Sequence, residues 1–183
     1  MTKTMIAVVG VIVSLLFIGG ASYVTSYNYG NRAEKNIVAI WENNQNILAQ
    51  YTQKVQEAAQ VPGMMKDDVK EVVSAALSGR YGPDGSKAVF QWIQEQNPTV
   101  DAGIYRKIQQ IIEAGRDEFK VSQTRLIDAK RAYSTNLGYL WKGLWMRIAG
   151  YPKINLDDYK AITNDYATKA FETGKEDGPI KLR

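Results

Sequence analysis

Residues 26–41, SYNYGNRAEKNIVAIW, open where a long apolar run stops and close where a helical pattern is already established. Two architectures depend on how this stretch is read. If it is a linker behind a cleaved export signal, the remainder of the chain is a secreted domain. If helical phase runs through it, an anchor and a soluble domain share one helix. Upstream, residues 5–24, MIAVVGVIVSLLFIGGASYV, carry no charge. About 20 helical residues at roughly 1.5 Å each cover about 30 Å, the thickness of bilayer hydrocarbon. The competing reading is a signal peptide, with Lys3 as its basic start, residues 6–18 as its apolar core and Gly19-Gly20-Ala21 as a small-residue cleavage site before Ser22. Because the chain retains Met1, an uncleaved anchor is the expectation.

Within that run Gly10 and Ser14 stand one helical turn apart, and Gly19 thins the far end. Small residues so spaced let transmembrane helices approach closely, although Gly and Ser are common in such spans for no special reason. Lys3 on one side faces Arg32 and Lys35, partly offset by Glu34, on the other. The basic start leans towards an inside N-terminus and leaves the side of the soluble part open. The expected location is a bacterial inner membrane, crossed once.

The chain has 183 residues, 45% of them hydrophobic, with four Trp, enough for a true core beside the anchor. Its 23 Lys and Arg against 19 Asp and Glu give +4. The signs are interspersed, so the concentrated basic face that nucleic-acid binding needs is not expected. A mild attraction to anionic headgroups suits the charge better. There is no Cys and no His. That removes the usual zinc sites, thiol catalysis and Ser-His or Cys-His triads together. The carboxylate pairs Asp67-Asp68, Asp117-Glu118 and Asp157-Asp158 are adjacent in sequence. Neighbours on a helix point about 100° apart and do not make an acid/base pair. No catalytic residue, metal site or cofactor is therefore expected.

Beyond the anchor, Ile37, Trp41, Leu48, Tyr51 and Val55 fall on one helical face. No Pro interrupts residues 27–60, and only Gly30 weakens the run, by about 1 kcal/mol relative to Ala. One helix from the anchor to residue 60 is expected, broken by Val61-Pro62-Gly63. A second helix is expected over 66–78, with Val69, Val72, Val73, Ala76 and Leu77 inward and Gly79 as its stop. The sequence GPDGSK at 82–87 has the flavour of a phosphate loop but lacks the required G-x-x-x-x-G-K-[ST] order, and reads as a turn. A short helix is expected over 86–96, and from Asp101 a long one with Ile104, Ile108, Ile111, Phe119, Leu126, Tyr133 and Leu137 on a stripe. Residues 137–154, LGYLWKGLWMRIAGYPKI, set Tyr139, Trp141, Trp145 and Tyr151 beside Lys142, Arg147 and Lys153. Such a mixture suits a lipid–water interface, and equally a packed bundle end or a subunit contact. Asn155 is expected to cap a last helix with Leu156, Tyr159, Ile162 and Tyr166 inward, before a frayed tail. The fold class is all-α: a single N-terminal transmembrane helix continuing into an antiparallel helical bundle.

Tyr27-Asn28 just past the single span, then Trp41, Leu48 and Tyr51 at helical spacing, resemble the start of the LemA family of small bacterial membrane proteins. IQQIIEAGRDEFKVSQTRLIDAKRAYSTNL at 108–137 is similar to that family's last long bundle helix, with Gln109, Gln123, Asp128 and Tyr133 at matching places. IAGYPK at 148–153 is similar to the segment that comes after it. The chain departs from the family where a basic stretch leading to Asp-Leu-Ile-Pro-Asn is expected, and residues 81–100 do not align. The resemblance implies a divergent member, of bacterial or phage origin, with an antiparallel bundle on a membrane stem and no catalytic residues to transfer. The expected organisation is an anchor over 1–26, a LemA-like bundle over 27–172 and a flexible tail over 173–183. The function expected is that of a membrane scaffold or interaction module that self-associates or binds another membrane protein. The alternative is a membrane-remodelling or lysis-related protein that touches lipid through 137–154.

Overall fold

The computed structural model describes residues 2–59, 66–81, 84–96, 98 and 103–162. Among the described residues all regular secondary structure is helical: α1 (Thr2–Ala59), α2 (Lys66–Leu77), α3 (Gly85–Gln96), α4 (Ile104–Gly138), α5 (Leu140–Ile148) and one 3-10 turn, Leu156–Asp158. The chain divides into two compact units, one formed by residues 1–39 and 126–160 and the other by 40–125 and 161–183.

Helix α1 runs unbroken for 58 residues, through the stretch 26–41 and through Gly30. Its N-terminal part is long and apolar enough to cross a membrane, and every side chain over residues 2–18 is exposed. Beyond it the buried positions Gly30, Glu34, Ile37, Asn44, Leu48, Tyr51, Val55 and Ala58 step by three and four, with the half-buried Trp41 filling the one step of seven. The stripe expected from the apolar residues is present, and Gly30, Glu34 and Asn44 complete it.

In the second unit, Ile47, Leu48, Tyr51, Val55 and Ala59 of α1 pack with Val69, Val73, Ala76 and Leu77 of α2, Val89 and Ile93 of α3, and Ile108, Ile112 and Phe119 of α4. Each buried aliphatic side chain contributes about 1.5–3 kcal/mol. Helix α2 stops where Gly79, at φ +82°, lets its N–H reach Ala76 O at 3.3 Å and the next N–H reach Ala75 O at 2.9 Å. This left-handed cap satisfies carbonyls the helix leaves unpaired. Gly85, inside α3, meets the Ala76 carbonyl closely, so the two helices touch through their backbones. The expected breaks at 61–63, at Gly82-Pro83 and at Asn97, and the start at Asp101, lie outside the described residues.

One expectation is sharpened and one is corrected. Gly30, expected only to weaken the helix, leaves it unbroken and is buried: a Cβ there would lie 2.6 Å from the Tyr151 ring, so glycine is what admits that ring to the helix. Asn155 caps no α-helix. Its Oδ1 accepts the Asp157 N–H at 3.1 Å, and only the 3-10 turn comes after it, with non-helical chain on to Ile162. Here side chains of α4 take the backbone groups that a helix would have paired: Lys130 Nζ donates to Tyr159 O, and Gln123 Oε1 accepts from Ile162 N–H. Tyr166 and the tail over 173–183 lie outside the described residues.

Candidate functional site

Most of the residues singled out in the sequence meet in the first unit, where α1, α4 and α5 come together. Helix α4 ends at Gly138, and Tyr139 takes an extended conformation (φ −66°, ψ 139°) before α5 begins. The turn is tight enough that a Cβ on Gly143 would collide with the Leu137 carbonyl oxygen. Two cations close the junction. Lys142 Nζ donates to Asn136 Oδ1 at 2.6 Å, and Arg147 donates to Leu137 O at 3.2 Å. Lys142 also stands 3.2 Å from the centre of the Tyr29 ring. Burial, with the charge of Arg32 as a smaller cause, lowers its pKa.

Helix α5 ends as α2 does. Gly150, at φ +81°, donates to Arg147 O, and Tyr151 N–H donates to Met146 O, both at 3.0 Å. That reversal delivers Tyr151 onto Gly30. The Tyr151 ring is buried there, its hydroxyl donates to Tyr27 O at 3.1 Å, and its edge meets the Tyr27 ring with centroids 5.9 Å apart. Lys153 lies over both rings, 4.8 Å from that of Tyr27 and 4.6 Å from that of Tyr151. Burial is the first cause that raises the Tyr151 pKa.

Beside this cluster the Glu34 carboxylate is buried and held by two donors through one oxygen: the Tyr133 hydroxyl at 2.5 Å and the Lys153 N–H at 2.7 Å. Tyr133 is fully buried, and burial followed by its bond to the carboxylate pushes its pKa far upward. The arrangement is a lock between helix and returning chain. Both donors keep their protons, and the described residues contain no group of three or more metal-ligating side chains.

The side towards the apolar run of α1 is aromatic. The Trp145 ring covers Gly19, where an added Cβ would lie 3.5 Å from it, and meets Tyr23 edge-on at 6.4 Å. Trp141 stacks edge-to-face on Trp145 at 5.7 Å and donates its Nε1–H to Ser22 Oγ at 3.2 Å. The Trp145 Nε1–H is buried with no acceptor. Gly10 and Ser14 are not in this cluster: Gly10 has open space around it, and the Ser14 hydroxyl turns back to Gly10 O at 2.8 Å. Asn28 is exposed, Tyr139 is exposed beside α5, and Trp41 is half-buried in the second unit.

Segment 137–154 is divided between interior and exterior. Gly143, Met146 and Tyr151 face the interior, whereas Tyr139, Leu140, Trp141, Leu144 and Ile148 face outward. Sequence reading missed Glu34, because periodicity was counted on apolar residues alone, and Tyr29, which lies off the stripe. No family model matches the chain, and neither a curated protein nor a solved structure shows significant similarity to it.

Proposed function

We propose that this chain is a single-pass membrane protein without enzymatic activity, in which α1 carries a helical bundle on a membrane-spanning stem and acts as a scaffold or interaction module. One observation carries the reading: a single helix is wholly exposed and apolar over residues 5–18 and then buries a regular stripe from Gly30 to Ala58. Exposed apolar surface of that length has no aqueous rationale, and hydrocarbon satisfies it. The helices beyond the span form an antiparallel bundle, a reading supported by Asn43 meeting Ser122 while Tyr51 meets Glu118. The resemblance of residues 27–51 and 108–153 to the LemA family favours the same architecture.

Extraction of native membranes at alkaline pH, followed by intact mass measurement, tests the anchor. Retention in the pellet with residues 1–26 still attached is the expected outcome; release, or a mass lacking the residues up to Ala21, contradicts it. Self-association is the interaction we favour, through the open face at Gly10 and Ser14. Mass photometry in detergent should show an oligomer that Gly10→Leu with Ser14→Leu weakens, and monomer at every concentration would refute it. A membrane-remodelling role for 137–154 is the second reading, favoured by the outward Trp141 and Leu140. Dye leakage from vesicles on reconstitution would support it, and intact vesicles would count against it.

A further inference from the structure

Helix α5 departs from an ordinary surface helix by exposing an apolar face. At the ~100° advance per residue of an α-helix, Leu140, Leu144, Ile148 and Trp141 share one outward arc. Their exposures are 95%, 48%, 58% and 57%. The opposite arc, Gly143 and Met146, is buried. A soluble helix places its apolar arc inward and its polar arc outward.

The height of this helix along α1 identifies what the outward face meets. Trp141 is bonded to Ser22 and Trp145 covers Gly19, so α5 is fastened to the last turns of the apolar run that ends at Val24. At about 1.5 Å per residue those contacts lie roughly 3 Å and 8 Å inside that end, the depth at which hydrocarbon gives way to headgroups. Ile18 and Val24 of α1, exposed on the same stretch, extend the apolar surface. The flanking chemistry is that of the boundary: Tyr23 and Tyr27 with their rings partly exposed, and Arg147 and Lys153 exposed beside them. Trp, Tyr and long cations concentrate at this level because each has an apolar body and a polar end.

We infer that α5 is an interfacial helix whose face of Leu140, Trp141, Leu144 and Ile148 lies in the lipid of the bilayer that α1 crosses, at the hydrocarbon–headgroup boundary. The inference rests on the membrane-spanning reading of α1 and adds a second point of lipid contact. It gives the protein a fixed depth: α1 cannot slide along the bilayer normal without drawing that face into water or burying the cations.

The chain has no Cys, so each introduced Cys carries one spin label. Full-length Phe17→Cys, Leu144→Cys, Ile148→Cys and Ile127→Cys would be reconstituted in phosphatidylcholine–phosphatidylglycerol vesicles. Collisions with oxygen, which concentrates in lipid, are then compared with collisions with a water-soluble nickel chelate. Phe17 reports the span, and Ile127, an exposed apolar residue of α4, supplies the comparison away from α5. Labels at 144 and 148 should give oxygen-to-nickel ratios like that at 17 and severalfold above that at 127. Nickel-dominated collisions at 144 and 148 with oxygen-dominated collisions at 17 would overturn the interfacial helix and leave the anchor standing. Protection of 144 and 148 from both agents would mean that another protein chain covers the face, which also overturns it. Nickel-dominated collisions at 17 would overturn the membrane reading itself.

Discussion

Each compact unit seats a tyrosine ring on a helix-interior glycine, and the surroundings of the two rings differ. In the first, Tyr151 lies on Gly30 among Tyr27, Lys153 and the Glu34–Tyr133 pair, and its hydroxyl donates to a backbone carbonyl. In the second, Tyr51 and Leu77 lie against Gly115 amid Val, Ile and Ala side chains, and the Tyr51 hydroxyl donates to Glu118 Oε2 at 2.9 Å. Removal of a Cβ serves both sites equally, letting a planar side chain reach a helix backbone. What holds the ring differs: aliphatic volume from four helices in the second unit, satisfied hydrogen bonds in the first. Aliphatic packing tolerates shape-conserving change, whereas a buried carboxylate with two donors does not.

The largest difference should come from Glu34. Glu34→Ala leaves the buried Tyr133 hydroxyl and the part-buried Lys153 N–H without an acceptor, and should cost about 3 kcal/mol. Glu34→Gln keeps a carbonyl oxygen in place and should cost about 1 kcal/mol. Denaturant unfolding of the two variants separates acceptor from space filler, and equal losses would show that the acceptor is not what matters.

Next come the glycines. Gly30→Ala and Gly115→Ala should each destabilise by about 1–2 kcal/mol, because overlap with a ring outweighs the gain in helix propensity. Gly20→Ala, with nothing within 4 Å, should be neutral or stabilising. Thermal melts of the three variants in detergent would sharpen the comparison, and a stabilised Gly30→Ala would break it.

Asn44 should give a gain. Its side chain is buried in the second unit with neither amide atom hydrogen-bonded. Asn44→Leu removes an unpaired polar group from the interior and should raise stability by about 1 kcal/mol. Slower amide exchange over residues 40–59 would confirm this, and faster exchange would show that the amide has a role in the fold.

The smallest effect is alkaline. Burial and Glu34 raise the Tyr133 pKa above its usual 10.0. The unfolded chain therefore releases that proton first, so the stability is complete below about pH 10 and declines as pH rises beyond it. Tyr29, Tyr51 and Tyr151 are raised as well, each chiefly by burial. Unfolding monitored from about pH 9 to 11 should show the decline, shallower in Tyr133→Phe, and identical slopes would remove the tyrosine from the explanation.

Helix α1 was legible because two independent signals agree over its length: an uncharged run long enough for a bilayer, then apolar steps of three and four. The hydrogen-bonded half of the architecture was not. Glu34 and Asn44 occupy the same stripe as Ile37 and Leu48, and the three- and four-residue spacing through 27, 30, 34, 37, 41, 44 and 48 would have pointed to them. A count restricted to apolar residues passes over them. What Gly30 is for was not legible, because propensity measures a local cost, whereas the value of that glycine lies in a ring arriving from Tyr151, far along the chain. Segment 137–154 could be read for its chemistry but not divided between interior and exterior, since that depends on which arc of α5 meets α1. At Asn155 the capping residue is genuine, but Lys130 and Gln123 satisfy the backbone beyond it and no helix is needed.

Helix α1 passes without a break from its apolar run into the folded part of the protein, and the rest of the architecture depends on that continuity. It is tested most directly by the distance between spin labels at Phe17→Cys and Lys35→Cys, two exposed positions on either side of the junction at 26–30. In vesicles, a continuous helix predicts one narrow distribution centred at about 27 Å, from the helical rise per residue. A broad distribution, or a label at 17 lost with a cleaved N-terminus, would contradict it.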